Sequence, residues 1–205
     1  MKLATVDGVL SRMSVSSALG GQVTSAGVAL DAATVILANM LESQFDRVAV
    51  ADYYSPDFSR IGKSAKLYLS RMFLATDEAI TVSYGAYSGN APADAYTDIL
   101  PIEYSADNEA GSIKLDNIPA YGKMSIKVTY TSGFYGESDF NIPDWLKEAA
   151  ITAAVYVMHT QTAAHGKKDI LDISPEYRRL IYVMVQQHMR PRMNCLFAEA
   201  SFTES

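Results

Sequence analysis

"SIKVTYTSGFYGESDFNIPDWLKEAAITAAVYVMH", residues 125–159, changes character twice within 35 residues. Its opening alternates: Ile126, Val128 and Tyr130 point one way and Lys127 and Thr129 the other, the pattern of a strand with one buried face. Gly133 and the polar residues after it break the pattern, and Pro143 sets up a helix whose apolar stripe is Leu146, Ala149, Ala150, Ala153 and Val157. Asp144 and Glu148 suit the positive end of the helix dipole, and the small side chains let another helix approach closely. Gly133 permits a sharp exit from the strand and Pro143 starts the helix, so the unit holds strand and helix at a set angle. It carries no evident catalytic side chain.

Outward from this stretch the chain reads as helix, antiparallel strands, helix, helix, an α+β order. Residues 27–45 repeat Leu30, Ala33, Leu37 and Leu41 at three- and four-residue steps, with Val28, Ala32 and Val35 widening the face. That apolar circumference predicts cover on two sides, by its own domain and by a neighbouring subunit. Residues 51–64 have the Pro, Ser and Gly punctuation of a connection. Strands are expected at 65–69, 79–84, 97–104, 112–116 and 124–130, with Pro101 marking an edge or bulge and the short gaps after 104 and 116 allowing hairpins. Ser174 caps and Pro175 opens a last helix with an apolar face of Leu180, Ile181, Met184, Val185 and His188, opposite Arg179, Gln186 and Arg190. The expected organisation is an N-terminal arm at 1–26, a single α+β domain at 27–190 and a docking tail at 191–205. Met193, Leu196, Phe197 and Phe202 are its candidate docking residues. Both arms are expected to be flexible until they meet a partner.

Composition narrows the function. The 205 residues are 49% hydrophobic and 20% charged, enough to bury a core, and the formal charge is −6 with a pI near 5.0. No Lys/Arg block offers the basic face that sequence-independent DNA binding needs. No leader pattern is evident, and no run approaches the roughly 18 apolar residues of a membrane span, so no membrane partner is expected. The single cysteine, Cys195, excludes an intrachain disulfide, and the three histidines have no zinc-ligand spacing. His159 and His165 fall on roughly opposite sides of a helix, and His188 has no nucleophile beside it.

"ALGGQ" at 18–22 lacks the lysine and preceding strand of a phosphate loop. Asp94, Asp98, Asp107 and Glu109 lie in or beside loops, where solvation explains them, and a hydrolase would need two of them to converge. Neither a cofactor nor a metal site is expected, and no enzymatic activity. Of thirteen tyrosines, Tyr53, Tyr54, Tyr84, Tyr87, Tyr96, Tyr121 and Tyr135 fall in or next to loops. Tyrosine buries much area at low entropic cost, so these residues suit association. A soluble binding module using loops 85–96 and 131–142 is the alternative function.

The quoted stretch resembles the C-terminal half of the head-tail connector (adaptor) proteins of tailed bacteriophages. In that family a strand ending V-x-Y-x-x-G-[YF] runs through a polar loop to a Pro and a helix with Leu-Lys-x-Ala near its start. The matching positions here are Val128, Tyr130, Gly133 and Phe134, then Pro143, Leu146, Lys147 and Ala149. The strand pair within 66–84 and the helix at 27–45 are similar to the family's upstream elements. The N-terminal arm and the longer C-terminal segment depart from its pattern. The resemblance implies a structural virion protein at the head-tail interface, present in host cytoplasm during assembly. It implies a homo-oligomeric ring of twelve beneath the portal, joined to a downstream neck, stopper or tail protein, through whose channel DNA passes without specific binding.

Overall fold

The computed structural model describes residues 1–15, 19–55, 65–86, 95–99, 103–116, 123–137, 139–163 and 175–188, with side chains at 160–163 and 175–178 left out. The expected tail residues Met193, Leu196, Phe197 and Phe202, together with Cys195, Pro101, His165 and Ser174, lie outside them. The fold is α+β. The described chain divides into two compact units, one helical, drawn from 1–46 and 134–189, and one built of strands within 47–133.

The first unit is helical. Helix α1 is Val6–Arg12, opened by Thr5, whose hydroxyl accepts from the Gly8 N–H at 3.2 Å. Helix α2 is Gly20–Leu41, starting earlier than its apolar repeat at Gly27 predicts. Its Gly- and Ser-rich first turns are poor helix formers, yet the Gln22 side chain accepts from the Leu19 N–H at 3.0 Å. Thr24 and Ser25 donate back to the carbonyls of Gly20 and Gly21 at 3.0 and 2.9 Å. Those local bonds replace the turn that such residues otherwise favour. Glu42 closes α2 in the left-handed region, φ 51°. Helix α3 is Asp144–Ala163 and α4 is Pro175–Val185, followed by a 3-10 turn at Gln186–His188.

Helix α2 packs along α3, α1 contacts both, and α4 packs on α3. The α3 stripe is as its spacing predicts: Leu146, Ala149, Ala150, Ala153 and Val157 are all buried. Leu30, Ala33, Leu37 and Leu41 are likewise buried, but Val28 and Val35 remain exposed. At Gly8 an added Cβ would stand 3.0 Å from Ile151 Cδ1, so α1 lies against α3 closely enough that a larger residue would have to displace the end of that side chain. An Arg12–Glu148 ion pair bridges the same two helices. By length and composition α2 could cross a bilayer, contrary to the absence of long apolar runs noted above. Ten of its 22 residues are buried within the helical unit, as in a core helix. On α4, Ile181 and Val185 are buried as expected, whereas Leu180 is exposed with Tyr182 and Val183.

The second unit is built of strands: β1 Val48–Tyr54, β2 Ala65–Tyr68, β3 Thr81–Ala86, β4 Thr97–Asp98, β5 Tyr104–Asp107, β6 Ser112–Leu115 and β7 Met124–Ser132. They form two antiparallel sheets, ordered β1-β7-β3-β4 and β2-β6-β5. Strand β1 occupies part of the stretch expected to be a connection. Asp52 in its middle reads as a loop residue, but is fully buried and hydrogen-bonded. The single strand expected at 97–104 is instead two short strands in different sheets. A hairpin joins β5 and β6, its turn closed by Gly111 at φ 59° and by Asp107 accepting from the Ala110 N–H. No hairpin joins β6 to β7, because β7 pairs with β1 and β3. Side chains from both sheets, including Leu67, Val82, Ile113, Leu115, Ile126, Val128 and Tyr130, share one core.

Candidate interaction site

Strand β7 ends at Ser132, and Gly133 follows with φ 88°, a left-handed conformation in which a Cβ is strained. Its N–H donates to the Phe73 carbonyl at 2.8 Å. Phe134 opens the helical unit: its side chain is buried, its N–H donates to the Phe45 carbonyl at 2.9 Å, and it forms a parallel bridge with Asp46.

The loop from Tyr135 to Pro143 is held from inside by Asp139. One carboxylate oxygen accepts from the Tyr135 N–H at 2.8 Å and the other from the Asn141 N–H at 2.9 Å. The Asp139 N–H donates to the Gly136 carbonyl, and its own carbonyl accepts from Ile142. Asp139 and Ile142 are buried. With the loop secured in this way, Tyr135 and Phe140 face solvent at 70% and 87% exposure. Both are large side chains that the fold leaves in solvent rather than in its core. The signal for Asp139 was absent from the sequence reading; an Asp two residues before Asn141 is a local Asx-turn pattern that points to it.

Pro143 starts α3 as expected, its carbonyl accepting from Leu146 and Lys147 at 3.0 and 3.1 Å. Lys147 lies 3.6 Å from Asp144 on the same turn. Trp145 stacks flat on His188, ring centroids 3.8 Å apart at 7°, joining the start of α3 to the turn after α4. His188 is thus a packing residue between two helices.

Elsewhere the polar groups serve structure. Asp52 Oδ2 accepts from the Tyr130 hydroxyl at 2.8 Å and the Ser70 N–H at 2.6 Å, with the Tyr54 hydroxyl at 3.3 Å. Tyr130 in turn meets the Ser70 hydroxyl at 3.1 Å and accepts from the Arg71 N–H at 3.2 Å. Burial, reinforced by the Asp52 charge against the opposing Ser70 contact, pushes the Tyr130 phenol well above its ordinary value. Asp52 is fully buried and Tyr130 nearly so, which keeps both from any substrate. Burial also raises the Tyr104 phenol. The Glu78 carboxyl is held below its ordinary value by the Thr131 hydroxyl first and Arg47 second. Among the described residues no three His, Cys, Asp or Glu side chains converge to hold a metal ion. Asp98 accepts from the Ser83 hydroxyl and Asp107 caps a turn.

The residues matched to the connector pattern therefore separate into two kinds. Val128, Tyr130, Phe134, Leu146 and Ala149 are buried packing positions, while Gly133, Pro143 and Lys147 govern how the chain leaves the strand and enters the helix. Of the tyrosines read as loop residues, Tyr53 and Tyr54 belong to β1 and are buried, and Tyr135 is exposed. Tyr87 and Tyr121 fall outside the described residues.

No family model matches the chain, and no curated protein matches it. Among solved structures it is similar to a chain of one described as the neck of an empty GTA particle computed with C6 symmetry. The two are 13% identical, with 93% of this chain and 91% of that chain covered, at a TM-score of 0.45. At that identity and score the likeness assigns neither a family nor a role to this chain.

Proposed function

We propose that the protein is a structural adaptor of a tailed-phage virion, acting through interfaces and without turnover. The observation that carries this reading is the Asp139-held loop. It displays Tyr135 and Phe140 to solvent within the same strand-loop-helix stretch whose sequence resembles the connector proteins. A rigid loop loses little entropy on docking, so two exposed aromatics on it are suited to a protein partner. The partners implied are further copies of the chain in a ring of twelve, a portal protein on one side and a neck, stopper or tail protein on the other. DNA passes through the channel, and the tail at 191–205 contributes to docking.

Light scattering of the purified chain, alone and mixed with a portal protein from the same virion, tests the role. A ring, or a complex of defined mass with the portal, is the expected result. A persistent monomer that ignores the portal would sink the adaptor reading and favour a binding module built on the tyrosine-bearing loops.

A further inference from the structure

Two faces of the helical unit carry exposed apolar side chains beside an exposed charge. On α2, Thr24, Val28, Asp31, Val35, Asn39 and Glu42 recur at steps of three and four residues and are all exposed, Val28 by 45% and Val35 by 46%. On α4, Leu180, Tyr182 and Val183 are exposed by 48%, 47% and 54%, beside an exposed Arg179. Helices α2 and α4 each pack on α3 and at most marginally on each other, so these are separate surfaces. Their charges differ in sign: the stripe's own residues include the carboxylates Asp31 and Glu42, with Lys2 Nζ reaching α2 at Gly27 beside them, and the α4 face carries the Arg179 guanidinium. Neither Asp31 nor Arg179 has an ion-pair partner among the described residues.

We propose that these faces join copies of this chain head to tail, the Val28–Asp31–Val35 stripe of one copy seated on the Leu180–Val183 face of the next, with Asp31 against Arg179. This deepens the assembly reading above and rests on it. Pairing α2 with α2, or α4 with α4, would set like charges against each other, which costs affinity; pairing unlike faces satisfies both. A contact between unlike faces is heterologous and leaves one of each free at the ends, so it repeats until the rotation closes a ring.

Sedimentation of the full-length chain over a concentration series tests the pairing. Asp31→Arg alone and Arg179→Asp alone should each weaken association by about tenfold. An equimolar mixture of the two variants restores it, because each altered face then finds its complement. A second arm keeps the test decisive where association is weak. In a Cys195→Ser background, the chain carrying both Val35→Cys and Val183→Cys is treated with a flexible bismaleimide long enough for either helix direction. A ladder of multimers supports the proposal. No ladder at any concentration, or dimers from either single-cysteine chain alone, overturns it. Portal binding without a ladder would remove these faces and leave the adaptor role standing; a ladder without portal binding would do the reverse.

Discussion

At the scale of single residues, the buried acid of β1 has the largest consequence for stability. Asp52 has no exposed surface, and its Oδ1 has no partner among the described residues, so the donors on Oδ2 carry the whole compensation for burying the group. Removing the Tyr130 hydroxyl should therefore cost about 1–3 kcal/mol at neutral pH, read from urea unfolding of Tyr130→Phe. The same substitution should alter the alkaline limb. The folded Tyr130 phenol is raised above its ordinary value of 10.0, so the folded state keeps a proton that the unfolded chain gives up. Its contribution is fully present below that value and is lost as pH rises toward the folded pKa. Tyr130→Phe should accordingly lose less stability than the parent as pH rises above about 10, while the raised Tyr104 phenol contributes a slope of the same sign to both. Equal alkaline slopes in parent and variant would contradict this account. Gly133 was legible in the sequence because a glycine between a strand and a polar loop asks for a turn, and its φ of 88° meets that expectation. Asp52 was not, because a carboxylate at the head of a stretch rich in Pro, Ser and Gly looks like surface until its hydroxyl partner, 78 positions away, is known.

At the scale of elements, α3 and β7 were the most readable, because each has one period and one buried face. The Leu146-to-Val157 stripe and the Ile126, Val128, Tyr130 alternation both appear in the burial. Strand pairing was less readable. Short gaps favour local hairpins, yet β2 joins β6, and β1 joins β7, through contacts remote in sequence. The start of α2 was hidden for a different reason: ahead of the poor helix formers Gly20 and Gly21 the Leu19 N–H is satisfied by the Gln22 side chain, a bond that composition does not display. The loop before α3 is the element on which the proposed adaptor role rests most directly. Exchanging Tyr135 and Phe140 for serine should leave thermal stability within about 0.5 kcal/mol of the parent, since neither ring is buried. The double variant should nevertheless lose binding to the portal or to the next neck component, measured by co-sedimentation. Unchanged binding would remove the loop from the interface, whereas a large stability loss would show that the rings serve the fold.

At the scale of the whole molecule, the helical unit is assembled from two stretches, 1–46 and 134–189, with the strands inserted between them. Such an insertion leaves no linker-like composition at its crossings: Asp46 is followed by a strand residue almost at once, and Gly133 by the buried Phe134. Net charge, by contrast, is legible from composition alone and bears directly on the proposed channel. A wall that guides DNA must not hold it, and at a formal charge of −6 the chain repels a polyanion more than it attracts one. Neutralising phosphates requires clustered cations, and each such contact steepens the salt dependence of binding. Fluorescence anisotropy with a labelled duplex should therefore show a dissociation constant weaker than about 100 μM at physiological salt. Assembly on the portal should not tighten it, because stacking acidic subunits adds like charge. If the assembled ring instead held duplex DNA near 1 μM with a steep loss on adding salt, a basic surface must form on assembly, and free passage of DNA would no longer describe the channel.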